Sequence, residues 1–174
     1  MSQLHTLLSE QALAPLCAVL GDVLSSIAYA VVPGELAADW ATDPCLCIGF
    51  GPVLSFRSGR SLSFSSAEGP AWPDRFTVCA SLDPWRPSDG VMLVPASEAR
   101  WGRAVIGQPL SAASVHGWAG SPHLVRLSFG TSTLLIANGT PTNLGDTDDL
   151  LLPTSPQLAL PTLQEVFWAS SPGA

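Results

Sequence analysis

The chain has 174 residues, 47% of them hydrophobic, which suits one self-standing domain, residues 1–174, with a sizeable core and no need of metal or disulfide support. Fourteen acidic side chains against seven basic ones leave a formal charge of −7, and a surface of that sign repels a phosphate backbone, so nucleic acid is not an expected partner. No uninterrupted apolar run reaches the ~18 residues of a spanning helix, so no membrane association is expected either.

From Pro15 onward, Leu16, Leu20, Val23 and Ile27 recur at spacings of four, three and four, which predicts an amphipathic N-terminal helix with Pro15 in its first turn. The stretch LCAVLGDVLSSIAYA ends in small residues like a signal-peptide core. It lacks an upstream Lys or Arg, however, and Asp22 interrupts it, so a cytoplasmic chain is expected. In that reducing compartment Cys17, Cys45, Cys47 and Cys79 are expected as free thiols, and their spacing matches no zinc pattern. Neither a metal nor a cofactor is expected. IAYAVVPG then runs into a strand that stops at Pro33 and Gly34.

The next segment, GELAADWATD, gathers Glu35, Asp39 and Asp43 around Trp40, and every acidic residue up to Asp43 precedes the first basic one, Arg57. Carboxylates placed this way would steer a basic protein partner, and a tryptophan among them would anchor it. Glu35, Asp39, Trp40 and Asp43 are therefore the candidate partner-binding residues, set against the alternative of an ordinary solvated acidic surface.

Two similar stretches follow, VLSFRSGRSLSFSSAEG from Val53 and VRLSFGTSTLLIANG from Val125. In the first, Leu54 and Phe56 alternate with serine, as do Leu62 and Phe64, so both arms read as half-buried strands. Keeping the apolar faces together needs an odd-length loop, with Phe56 opposite Leu62 and Leu54 opposite Phe64. The second requires an even-length loop, with Phe129 opposite Leu134 and Leu127 opposite Ile136. A duplicated binding device would keep its turn, so the repeat is structural. CLCIGFG, FTVCASL, VMLVP, RAVIG and AASVHGW are further strand candidates, and Thr162 with Glu165 forms a capping box ahead of a short C-terminal helix. The fold class expected is α+β, a largely antiparallel sheet with an N-terminal amphipathic helix and a short C-terminal one.

No catalytic residue emerges. There is no G-x-S-x-G nucleophile turn, and His116 and His123 flank the GWAGSP turn as loop histidines without a carboxylate between them. GDTDDL lacks the Gly and Glu offsets of a calcium loop, and Asn138 with Gly139 reads as a turn.

The strand pairs of form LSF…G…L, with RWGRAVIGQPL between them, give a layout that resembles the small bacterial immunity proteins that neutralise a cognate toxin. The resemblance covers Arg100 to Leu110 and Leu124 to Ile136, and it implies a protein that binds a toxin without turnover. Two alternatives stand beside it: a small enzyme or small-ligand binder with a loop-built pocket, and a structural adaptor subunit.

Overall fold

The computed structural model describes residues 13–34, 45–48, 51–69, 72–82, 90–118, 121–140, 143–144, 150–153 and 164–170. The described part of helix α1, residues 13–18, ends well before its apolar stripe does. Gly21, at φ 80, takes a left-handed conformation that other residues resist, and its N–H donates to Leu110 O at 2.8 Å. Asp22 Oδ1 then accepts the Val23 N–H at 2.8 Å. From there the chain is strand β1, Leu24–Val31, so Val23 and Ile27 do not continue a helix. Val23, which the stripe counted, is half-buried and precedes the strand, whereas Leu24 beside it is buried. A register shift in β1 between Leu24 and Ser26 sets buried Leu24 and Ile27 three apart, after which Ile27, Tyr29 and Val31 follow the spacing of two of a strand. At the end of α1 the Arg60 guanidinium donates to the Ala18 carbonyl, which a helix C-terminus otherwise leaves unpaired.

The remaining elements are almost all strands: β2 Cys45–Ile48, β3 Pro52–Phe56, β4 Ser61–Gly69, β5 Trp72–Ser81, β6 Met92–Pro95, a 3-10 turn Ala96–Glu98, α2 Arg100–Val105, β7 Leu110–Trp118, β8 Ser121–Phe129, β9 Ser132–Thr140, β10 Asn143–Leu144, β11 Leu150–Pro153 and β12 Gln164–Ser170. They form two antiparallel sheets. One runs β5-β4-β3-β1-β6, and the other runs β12-β7-β8-β9-β11-β2 with β10 also paired to β9. The fold is thus α+β and largely antiparallel. Leu54, Phe56, Leu62 and Phe64 of the first sheet share one core with Val115, Val125, Leu127, Phe129, Leu134 and Ile136 of the second, and Leu16 of α1 and Val19 just after it join them. Burying each such side chain contributes about 1.5–3 kcal/mol.

The β3–β4 hairpin keeps the odd loop parity but closes two residues tighter than expected. Leu54 faces Leu62, the Phe56 N–H bonds Arg60 O, and Gly59 at φ 86 supplies the left-handed position of the short loop. The β8–β9 hairpin is even, again tighter by two, with Leu127 opposite Leu134 and Phe129 opposite Ser132. A tight turn adds a ladder pair and leaves less chain to order.

Three segments change type. RAVIG lies mostly in α2, where Trp101 and Val105 stand four apart: Val105 is buried, and the Trp101 ring lies 6.4 Å from Tyr29. Gly102 permits that helix to close on the preceding turn, because a methyl there would overlap the Ala96 carbonyl oxygen. Asn138 is not at a turn but fully buried within β9, which continues to Thr140. The expected C-terminal helix is strand β12, whose Val-Phe-Trp run suits a sheet and covers the outer edge of β7.

Candidate functional site

Strand β6 ends one sheet, and its sequence explains both its length and its exposure. VMLVP is apolar throughout, and its proline cannot donate to a ladder, so such a strand belongs at an edge. It pairs with β1 from Val31↔Met92 to Ala28↔Pro95, and among the described residues no strand lies on its far side. Met92 is 47% and Leu93 39% exposed. Adjacent side chains of a strand point to opposite faces, so β6 presents apolar surface on both. It carries none of the charges that normally blunt an exposed edge.

On the second sheet the structure assembles polar groups that sequence order kept apart. Ser114 and His116 stand two apart on β7 and so share a face, and Ser114 Oγ and His116 Nε2 share a hydrogen bond of 2.8 Å. The strand β12 places Glu165 in register with His116. Sequence alone gave Glu165 to a helix cap, so this pairing of backbones was invisible there. The order Ser, His, Glu across two strands has the residue types of a nucleophile, a base and an orienting acid. Its accessibility does not suit that chemistry, because Ser114 is 1% exposed and no reacting carbonyl can reach its hydroxyl.

Neither His116 nor His123 lies in a loop. In the β7–β8 ladder His116 pairs with Leu124, and the register shifts immediately after that pair, which makes His123 the extra residue of a bulge. His123 is fully buried, and Asn138 of the neighbouring strand is fully buried as well. Fully buried polar side chains such as these specify packing rather than solvent chemistry.

The sequence-derived binding residues Glu35, Asp39, Trp40 and Asp43 lie outside the described residues. The chain approaches them from β1, which ends at Val31 opposite Met92 of β6, and Gly34 immediately precedes Glu35. Among the described residues no group of His, Cys, Asp and Glu is arranged to hold a metal ion, and no helix is long and apolar enough to cross a membrane.

Comparison of the chain with known protein families, with curated proteins and with solved structures finds no match.

Proposed function

We propose that the chain is a non-catalytic, cytoplasmic protein-binding module of the immunity type, which holds a basic toxin against an acidic surface. The observation that supports this reading is the charge distribution. The excess of −7 is concentrated before Arg57, where Glu35, Asp39 and Asp43 surround Trp40. Carboxylates so placed accelerate encounter with a basic protein and compete for a basic active site, while the indole supplies the desolvated anchor that slows release.

The test is kinetic. The protein captured on the tagged chain from its native host is purified, and its binding is followed at low and high salt. Replacing Glu35, Asp39 and Asp43 together by Lys is expected to slow association at least about tenfold at low salt and much less at high salt, where screening has already removed the attraction. Trp40→Ala is expected to speed dissociation at both. Co-expression of the chain should restore growth to cells that make the captured protein. Unchanged rates in both variants would place the interface elsewhere, and unrestored growth would remove the toxin from the reading.

A hydrolase is the second reading, favoured by the Ser114–His116 hydrogen bond and the register of Glu165. Against it stands the burial of Ser114.

A further inference from the structure

We propose that β6 is a docking edge to which an extended, cationic segment of a partner protein adds as a sixth strand. Resting on the protein-binding reading above, this fixes where on the chain the partner's backbone sits. The direction of the β6 backbone groups that no described strand pairs follows from the ladder. The Phe56 N–H bonds Arg60 O toward β4, so by alternation Ser55 and Val53 turn their groups toward β1. Their partners there are Ser26 and Ala28, which leaves Tyr29 and Val31 directed toward β6. Tyr29 pairs with Val94 and Val31 with Met92, so those two residues of β6 are spent on β1. Leu93, between them, turns its N–H and C=O outward. Pro95 has the same parity as Leu93, and its missing N–H faces away from β1, where it costs nothing.

The occupant is an extended segment rather than a second copy of this chain. A seam of four residues, Met92–Pro95, buries well under the ~1,000 Å² that holds two folded proteins together, and two copies would each bring a charge of −7 to it. A flexible strand needs no such area, because main-chain hydrogen bonds supply its affinity and side chains on alternate faces supply its selectivity. Apolar side chains on the added strand would cover Met92 and Leu93, and basic residues flanking them would meet the acidic chain.

The probe is a fluorescein-labelled peptide, Arg-Val-Thr-Val-Thr-Val-Arg, together with the same peptide N-methylated at its central valine. Leu93→Pro removes the outward donor, which β1 does not use, together with the leucine side chain, and Leu93→Ala, which keeps the donor, separates the two contributions. The unmodified peptide is expected to give a saturable rise in anisotropy with the parent chain. Leu93→Pro and N-methylation are each expected to weaken it at least about tenfold, with the circular dichroism and melting temperature of the variant unchanged. Amide exchange on the parent chain supplies a readout that needs no variant: Leu93 N–H should exchange freely without peptide and slowly with it, while Met92 and Val94 are protected throughout. Absence of peptide binding, equal affinity in Leu93→Pro, or unaltered Leu93 exchange at saturation would each overturn the assignment. So would a dimer of the parent chain that Leu93→Pro abolishes, which would make a second copy the occupant. A captured partner that responds to the carboxylate reversals and not to Leu93→Pro would leave the proposed function standing and remove β6 from it.

Discussion

Tyr29 is fully buried on β1 with its ring tilted against Trp101, and burial pushes its phenol above the ordinary value near 10. A phenolate would have to form inside the core, so the folded chain keeps its proton at a pH where the unfolded chain releases it. Stability is therefore fully present below about pH 10 and declines as pH rises beyond it, by up to about 1.4 kcal/mol per unit. Tyr29→Phe is expected to remove that component. Melting temperatures of both proteins at pH 8 and pH 11 check it, and an equal alkaline drop in the two would show that other groups cause the loss. Residue environments of this kind were poorly legible beforehand. Asn138 read as a turn because Asn-Gly favours one locally, whereas the ladder to β8 and β11 overrides that preference. The register of His116 with Glu165 was not readable because it arises from strand pairing across nearly fifty residues.

Pairing also governs the elements. Parity was readable in both hairpins, since a slip by one residue would turn a whole apolar face to water. Loop length was not, because a shift by two preserves the faces and is decided by turn geometry, by Gly59 in one hairpin and Gly130 at φ 57 in the other. The distinction can be measured. Leu54→Val and Leu62→Val are each expected to cost about 1 kcal/mol, with a coupling of at least about 0.5 kcal/mol in the double variant because the two are direct partners. Denaturant unfolding of the four proteins gives the coupling. A larger coupling between Phe56 and Leu62 would restore the longer loop. Helical elements were misread because the apolar stripe ran without a break across the turn that separates α1 from β1, and because the capping-box pattern at Thr162 carried less weight than the pairing of Val166 to Trp168 beside β7.

At the scale of the molecule, composition and alternation carried the α+β class, but the division into two sheets was not legible, because partners distant in sequence decide it. The same holds for the candidate site. An apolar strand ending in proline signals an edge, yet only the pairing of β6 with β1 and the exposure of Met92 and Leu93 identify it as one. Strand β2 shows what such pairing entails. It lies among the strands of the first sheet in sequence, yet it pairs with β11, Ile48 opposite Leu150, about a hundred residues later. A chain built this way cannot pair β2 until Leu150–Pro153 has been made. During synthesis the ribosome carries Cys45–Ile48 as an unpaired apolar strand until the codons for Leu150–Pro153 have been read and that segment has cleared the exit tunnel. Over that interval β2 is open to pairing with other chains, and long-range pairings of this kind place refolding in the slow range of small domains, milliseconds to seconds. Stalled nascent chains ending at residue 145 should be cut by protease around β2, while released full-length chains should resist. Equal resistance in both would mean that β2 finds shelter before its partner exists.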